Sequence, residues 1–226
     1  MPATRKRTSA RAARILIVDD HPIVRRGIVQ LIQNESNLEV CGEADSPATA
    51  VELLESLRPD LVIVDLTLAH ANGLGLIKDL QARDPRLPVL VLSMHDETLY
   101  AERALRAGAM GYIMKQEATD HIVEAIRQVL GGNIYVSERM TTRMLHRLVG
   151  DKREAGAVSP LETLSDREME VLHLLGQGLS TRQIAEQLFL SVKTVETYLE
   201  HLKTKLGLES GRELIRYAMR HSLDER

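Results

Sequence analysis

Acidic residues follow two apolar segments that are typical of buried β-strands. Asp19 and Asp20 come directly after Ile15–Val18. Asp65 comes directly after Leu61–Val64. In open parallel sheets, ligands bind at the carboxyl ends of the strands. Three carboxylates at one such edge repel each other unless a cation neutralises them, so the pattern points to a hard divalent metal and to chemistry on a charged group.

Two more polar residues end apolar segments later in the chain. Ser93 follows residues 89–92, and Lys115 follows residues 111–114. The aspartates alone fit a metal-only site, a phosphoryl-accepting site or solvated loop ends, but a hydroxyl and an ammonium beside them favour a mixed-charge site. Mg²⁺ suits carboxylates combined with phosphate oxygens, and phosphoryl transfer needs mainly positioning and charge neutralisation. Asp65 is then a nucleophile that can become an acyl phosphate.

These residues lie in a segment where strand-like and helix-like patterns alternate, from Arg14 to about Gly132. The predicted strands are Ile15–Val18, Leu38–Cys41, Leu61–Val64, Val89–Leu92 and Gly111–Met114. The predicted helices are Ile23–Gln33, Pro47–Leu57, Leu74–Arg83, Leu99–Ala107 and His121–Leu130. Five such units predict an α/β domain with a five-stranded, doubly wound parallel sheet of the flavodoxin-like order.

Composition limits the remaining possibilities. The 226 residues suffice for one large or two ordinary domains, and the net charge of −3 does not indicate any class of binding partner. A single cysteine, Cys41, excludes an intrachain disulfide and fits a reducing cytoplasm. No run of about 18 apolar residues predicts a membrane span. Residues 1–13 are basic and free of acids, which is typical of a disordered tail.

The last part of the chain carries helix signals only. Ser137–Leu148 predicts one helix, and residues 150–160 read as a linker. From Leu161 onwards, three Ser-x-x-Glu/Gln patterns match the capping box: Ser165 with Glu168, Ser180 with Gln183, and Ser210 with Glu213. Four short helices, two of them joined by the brief turn 189–191, predict a helix-turn-helix domain, although a plain helical bundle has the same periodicity.

The chain resembles a bacterial two-component response regulator of the NarL/FixJ type over about residues 14–226, and its first part resembles the receiver of that family. It rests on the Asp19-Asp20 pair, Asp65, Ser93 and the pattern Gly-Tyr-x-x-Lys at 111–115. The resemblance implies that Asp65 is phosphorylated and that Mg²⁺ is held by Asp19, Asp20, Asp65 and the Thr67 carbonyl. It implies that Lys115 and Ser93 bind the phosphate and that the Tyr112 ring turns inward once Ser93 moves. The chain departs from the common pattern at Ala69 and Gln116, where many receivers carry proline, and His70 is expected to be a solvated loop residue.

The last part resembles the LuxR-type module, on Leu-Ser-x-Arg-Glu at 164–168, Gly-x-Ser at 178–180, Ser-x-Lys-Thr-Val at 191–195 and Lys-Leu-Gly at 205–207. The resemblance makes Lys193, Thr194, Glu196, Thr197 and His201 candidates for DNA contact and makes Arg182 and Lys205 phosphate contacts. Leu214, Ile215 and Ala218 resemble a dimerisation surface, although core packing explains them equally well. From Ser159 onwards the chain has 9 basic and 11 acidic residues, so charge alone does not predict DNA binding.

We therefore predict a receiver domain at 14–133, a linker with one helix at 134–160 and a four-helix DNA-binding domain at 161–226. The expected function is that of a cytoplasmic, non-enzymatic transcription regulator. A sensor histidine kinase would phosphorylate it with Mg²⁺, and it would then bind double-stranded DNA as a homodimer. Two alternatives stay open: a receiver that serves as a docking module independent of phosphate, and an aspartate-nucleophile phosphohydrolase. Thr67 argues against the second, because it stands where those enzymes carry their second acid.

Overall fold

The computed structural model describes residues 11–68, 71–149 and 160–223. Its first part alternates strands and helices. In chain order these elements are β1 (Ala13–Val18), α1 (Pro22–Gln33), β2 (Leu38–Ala44), α2 (Pro47–Leu57), β3 (Leu61–Val64), β4 (Thr67–Leu68), β5 (Ala71–Asn72), α3 (Gly73–Arg83), β6 (Val89–Ser93), α4 (Glu97–Ala107), β7 (Gly111–Met114) and α5 (Ala118–Leu130). All five predicted strands and all five predicted helices are present, and no boundary is shifted by more than three residues.

The five long strands form one parallel sheet in the order β2-β1-β3-β6-β7. This is the doubly wound order that the sequence predicts. Side chains alternate between the two faces, so that Leu16 and Val62 lie in one apolar cluster while Ile15 and Leu61 lie in the other. The order reverses between β1 and β3, and the crevice at their carboxyl ends is where ligands bind in such sheets.

Local signals explain where several helices begin and end. Ser46 caps α2 by accepting a hydrogen bond from the Thr49 N–H, and Pro47 occupies the first turn. Gly108 ends α4 with φ +109°, a conformation that side chains disfavour. These caps fix the lengths of the helices and therefore the positions of the strand ends between them.

The short antiparallel pair β4–β5 directly after β3 was not predicted. Each of its strands has only two residues, too few for a hydrophobic period to be recognisable. Ala69 and His70 lie between the two strands and outside the described residues. Residues 1–10 of the basic tail and residues 150–159 of the linker also lie outside them.

The second part is helical, as predicted. It consists of α6 (Glu138–Val149), a 3₁₀ turn (Pro160–Thr163), α7 (Asp166–Gly176), α8 (Thr181–Gln187), α9 (Val192–Leu206) and α10 (Gly211–Leu223). The turn between α8 and α9 puts Phe189 at φ 54°. None of the helices in the described part of the chain is long and apolar enough to cross a membrane.

Two of the three predicted capping boxes are complete. Ser165 with Glu168 and Ser180 with Gln183 each make both reciprocal bonds. At the third, Ser210 accepts from the Glu213 N–H, but the Glu213 carboxylate accepts from the Glu209 N–H instead. The third pattern is therefore a cap without the second half of the box.

Candidate functional site: an acidic pocket and a boundary between two domains

Strand register brings the pocket residues together. Val18 pairs with Val64, so the next residues on β1 and β3, Asp19 and Asp65, lie side by side. The Asp65 N–H donates to the Val18 carbonyl at 2.8 Å. At the other side of the crevice, the Lys115 N–H donates to the Ser93 carbonyl at 2.8 Å, which fixes the residue after β7 beside the end of β6.

The Lys115 ammonium contacts two carboxylates. Its Nζ lies 2.6 Å from Asp65 Oδ2 and 2.8 Å from Asp19 Oδ2. Burial alone would lower the pKa of Lys115, but the facing Asp65 and Asp19 carboxylates raise it above its ordinary value. The convergence of these three residues confirms the predicted geometry, and Lys115 stays cationic at neutral pH.

Asp65 is more buried than a group at a sheet edge is expected to be, with a side chain only 2% exposed. Its neighbour at the mouth is His21, whose side chain is 58% exposed and whose Nδ1 lies 3.9 Å from Asp65 Oδ2. Burial raises the pKa of Asp65 by more than the Lys115 ammonium and the Thr67 N–H lower it. The Asp65 carboxylate is therefore nearly enclosed, and the exposed His21 side chain lies next to it.

The donor set fits a hard cation. Asp19, Asp20 and Asp65 supply carboxylate oxygens, and together with His21 their ligand atoms lie within 4.8 Å of one another. Three carboxylates face one ammonium here, and this excess of negative charge in a mostly buried pocket is offset when a divalent cation binds. The Thr67 N–H donates to Asp65 Oδ1 at 3.0 Å, which holds the Thr67 backbone against the same carboxylate.

Tyr112 already lies inside the protein, 1% exposed, and its hydroxyl donates to the His95 carbonyl at 2.8 Å. The Ser93 hydroxyl accepts from the His95 N–H at 3.1 Å. The Tyr112 ring is therefore already turned inward in this conformation, and the Lys115 ammonium already contacts Asp65. The Ser93 hydroxyl is thus hydrogen-bonded to the same residue whose carbonyl accepts from Tyr112.

Gly73 is a site residue that the sequence patterns did not identify. A Cβ on this residue would lie 2.3 Å from the Asp65 carbonyl oxygen and 2.5 Å from Leu66 Cα. Only glycine therefore lets the first turn of α3 approach the backbone of the Asp65 loop so closely. A glycine directly before an apolar helical pattern was the available signal.

His95 is a second residue that the patterns missed. It is 6% exposed, its Nε2 lies 2.9 Å from Thr67 Oγ1, and its ring stacks on Tyr100 with centroids 4.4 Å apart. The edge of the ring faces His173 of α7, with centroids 4.7 Å apart. His95 therefore connects the end of β6 to the second domain, across a small cleft of about 70 Å³.

Polar contacts surround this cleft. Arg103 of α4 lies 3.2 Å from Asp166, and it donates to the carbonyls of Leu161 and Leu164 at 3.1 and 2.6 Å. Lys78 of α3 lies 3.0 Å from the other oxygen of Asp166. The start of α7 is thus attached to two receiver helices, α3 and α4.

The polar face of α9 is largely exposed, although His201 Nδ1 lies 3.8 Å from Glu168 Oε1 of α7. Its side chains at the predicted DNA-contact positions are exposed or half-buried: Lys193, Thr194, Glu196, Thr197 and His201. Arg182 is also exposed, 3.3 Å from Glu186. Lys205 differs, because its Nζ lies 2.6 Å from the buried Glu168. Its predicted contact with DNA phosphate thus competes with an internal ion pair.

Glu168 is held by more donors than its capping role requires. It accepts from the Ser165 N–H and hydroxyl at 2.7 and 2.9 Å as well as from Lys205. Burial alone would raise the pKa of Glu168, but the hydrogen bonds from Lys205 and Ser165 lower it. Glu168 therefore joins α7 to the end of α9.

The predicted dimerisation residues separate into two groups. Leu214 and Ala218 are 1% exposed and pack in the core of the helical domain, so they do not form a surface in this conformation. Core packing, the alternative explanation, accounts for both of them. Ile215 is 40% exposed and Met219 is 42% exposed on the outer side of α10.

The fold and the pocket define a receiver joined to a helix-turn-helix domain, and comparison with known proteins agrees. The response regulator receiver family matches residues 15–127, and the LuxR family of bacterial regulatory proteins matches residues 162–218. The chain belongs to the response regulators that combine these two domains, and it is a DNA-binding transcription regulator by family. The domain bounds 14–133, 134–160 and 161–226 stay predictions.

Named relatives support this assignment over nearly the whole chain. The oxygen regulatory protein NreC of Staphylococcus aureus (strain JH9) is 36% identical over 216 residues, which cover 94% of this chain and 99% of NreC. A structure of RcsB from Salmonella enterica serovar Typhimurium, bound to promoter rprA in the presence of the phosphomimetic BeF3⁻, is 27% identical with a TM-score of 0.70 and covers 92% of this chain and 98% of its own. A further RcsB structure from Salmonella typhimurium is 26% identical with a TM-score of 0.72 and covers 94% and 99%.

Proposed function

We propose that phosphorylation of Asp65 controls DNA binding by this response regulator. The observation that carries the proposal is the contact of Lys115 with both Asp65 and Asp19, at 2.6 and 2.8 Å. An ammonium held there can neutralise the oxygens of an added phosphate without first having to move. The phosphomimetic in the RcsB–promoter structure supports the same interpretation.

Asp19, Asp20, Asp65 and the Thr67 carbonyl would hold Mg²⁺. When bound, Mg²⁺ neutralises charge on the phosphoryl oxygens that approach the carboxylates. The chain's own contribution is orientation, since the Thr67 N–H fixes Asp65 Oδ1 and Lys115 fixes Asp65 Oδ2. A phosphohistidine on a sensor kinase is the expected donor. An Asp65 oxygen attacks phosphorus, the P–N bond breaks, and the kinase histidine leaves in its neutral form with a proton from water.

Transmission to the second domain begins at Ser93. In the unphosphorylated protein its hydroxyl accepts from the His95 N–H at 3.1 Å. A phosphate on Asp65 attracts that hydroxyl as a donor, which weakens the bond to His95. Because the His95 ring touches His173 of α7, a shift of His95 changes the boundary between the domains.

The expected consequence is a release of α7 from α3 and α4, because the polar face of α9 is already exposed while the domains are in contact. Phosphorylation would then act on the freedom of the helical domain to pair with a second copy, not on access to its reading face. Ile215 on the exposed side of α10 is a candidate for that pairing. Lys193, Thr194, Glu196, Thr197 and His201 are candidates for contacts in the major groove, and Arg182 and Lys205 for contacts with phosphates.

Mass spectrometry of the full chain treated with acetyl phosphate and Mg²⁺ tests the proposal. We expect one phosphoryl adduct, located on the peptide that contains Asp65. Asp65→Asn removes it, whereas Asp60→Asn, at the opposite end of β3, is the matched control and keeps it. Binding-site selection with both protein forms then supplies a DNA for affinity measurements. No adduct on Asp65, or equal affinity of the two forms, contradicts the proposal.

A second candidate function has one observation in its favour. The exposed polar face of α9 is compatible with a protein that binds DNA without phosphate and uses its receiver only for docking. Under this alternative, Asp65→Asn keeps wild-type promoter activity in cells. Under the main proposal the same variant is inactive at the promoter.

A further inference from the structure

His21 is the one non-acidic member of the group of potential metal ligands in the described part of the chain. It directly follows the Asp19-Asp20 pair and is the residue before α1. Its imidazole lies at the mouth of the pocket with Nδ1 directed at the carboxylates. The family resemblance assigns three aspartates and a carbonyl to the cation and leaves this nitrogen without a role.

The distances from Nδ1 match those between ligands of a single ion. An octahedral ion with bonds of about 2.1 Å has neighbouring ligand atoms about 3 Å apart and opposite ones about 4 Å apart. Nδ1 lies 2.8 Å from Asp20 Oδ1 and 3.3 Å from Asp19 Oδ1. It lies 3.9 Å from Asp65 Oδ2. Two of these separations are those of neighbours, and the third is that of opposite positions.

The backbone holds the imidazole in this position. The His21 N–H donates to Asp19 Oδ1 at 2.7 Å, so the carboxylate that would bind the ion also anchors the residue. Pro22 follows in the first turn of α1 and restricts the chain there. The side chain is 58% exposed, so its outer nitrogen reaches water while the inner one faces the pocket.

We propose that His21 ligates the cation through Nδ1 and makes the pocket prefer divalent first-row transition-metal ions over Mg²⁺. Mg²⁺ takes oxygen ligands almost exclusively, whereas imidazole nitrogen is a preferred ligand of the transition metals. A set of carboxylates with one imidazole therefore favours transition-metal ions over Mg²⁺ more strongly than a set of oxygen ligands does. The inference rests on the proposed function only in taking this pocket as the cation site of the receiver.

The decisive experiment uses Mn²⁺ as the probe and the full-length, unphosphorylated protein. Electron spin echo spectroscopy of bound Mn²⁺ detects a directly bound nitrogen, independently of any phosphoryl transfer. We expect a ¹⁴N coupling in the wild type, its replacement by a ¹⁵N coupling after histidine labelling, and its loss in His21→Ala and His21→Asn. His121→Ala, which removes an exposed histidine from α5, is the matched control and keeps the coupling.

Calorimetric titrations provide the second measurement. In His21→Ala we expect Mn²⁺ to bind about tenfold more weakly, the usual minimum for a lost interaction at a metal site, and Mg²⁺ affinity to change by less than about twofold. Bound Mn²⁺ without a nitrogen coupling, or equal losses of affinity for both ions, overturns the inference and leaves phosphorylation of Asp65 untouched. Absence of binding by either ion overturns the inference and the proposed Mg²⁺ site together.

Discussion

Two buried acids in this protein, one in each domain, contact a lysine at the same distance but have opposite pKa shifts. Asp65 lies 2.6 Å from Lys115, and Glu168 lies 2.6 Å from Lys205. Yet burial raises the pKa of Asp65 above its ordinary value, while hydrogen bonds from Lys205 and Ser165 outweigh burial and lower the pKa of Glu168. A lysine contact alone therefore does not reveal what a buried acid does.

The surroundings of each pair explain the difference. Glu168 receives two further hydrogen bonds from Ser165, so its charge is satisfied within the domain. Asp65 shares its lysine with Asp19 and lies beside other carboxylates, so negative charge accumulates there. A satisfied acid stabilises the fold, whereas an acid with a surplus of negative neighbours is ready to bind a cation or an electrophile.

Removal of the Glu168 carboxylate should have the largest effect on stability. Glu168→Ala leaves Lys205 and the start of α7 without their shared partner, and we expect the helical domain to lose about 2 kcal/mol, less than a fully buried pair because Lys205 is partly exposed. Hydrogen exchange of the full chain, followed on α7 and α9 peptides, measures this. Glu170→Ala on the same helix is the control. An unchanged helical domain would mean that Glu168 is not the structural acid.

The second largest effect is expected for substitutions at the boundary between the domains. Asp166 faces both Arg103 and Lys78, but Arg103 also donates to two carbonyls and is far less exposed. We expect Arg103→Ala to weaken docking by about 1 kcal/mol and Lys78→Ala by about 0.3 kcal/mol, the size of an exposed pair. Small-angle scattering would show a larger average dimension for the first variant. Equal effects of both would refute the role assigned to the carbonyl contacts.

Substitution of Asp65 should change the stability in the opposite direction to substitution of Glu168. Asp65→Asn removes one of several clustered carboxylates, and we expect the metal-free receiver to gain about 1 kcal/mol in its free energy of unfolding. Urea unfolding in the presence of a chelator measures the gain, with Asp60→Asn as the control. A loss of stability would show that Lys115 already compensates for the burial of Asp65.

The smallest expected effect is the change with pH in the stability difference between the wild type and each of these two variants. The raised pKa of Asp65 means that its ionisation opposes folding, so the advantage of Asp65→Asn disappears as pH falls towards the usual carboxyl range near about 4. The lowered pKa of Glu168 means that its stabilisation is present above the unfolded value and is lost as pH falls through the folded one. The wild-type advantage over Glu168→Gln therefore shrinks in acid, and parallel curves for the two variants would contradict the comparison.

The fold was predictable because its signals are local and repeated. Period and strand composition identified the five strands, and the residues directly after three of them, Asp19, Asp65 and Lys115, contact one another in the pocket. Parallel pairing then determines that such residues meet. The position of the Tyr112 ring is not accessible to the same reasoning, because it depends on packing from several elements and not on spacing along one strand.

Two other features could not be predicted from the sequence, because they also depend on contacts between distant parts of the chain. The contact of His95 with His173 joins residues from separate domains, and no periodic pattern encodes a contact of that kind. Leu214 and Ala218 belong to an amphipathic helix, and its sequence pattern fits a core face and a dimer surface equally well. Only the packing of α10 against α7 distinguishes the two.

The close approach at Gly73 has a consequence for how change spreads through the receiver. With no room for even a methyl group between Gly73 and the Asp65 carbonyl, the loop that would carry the phosphate and the first turn of α3 have to shift in concert. Five residues further on, about 7 Å along the axis, the same helix presents Lys78 to Asp166. Helix α3 thus links the backbone of Asp65 to the neighbouring domain, alongside the contact of His95 with His173, and a side chain at position 73 would be expected to disturb both ends of this link.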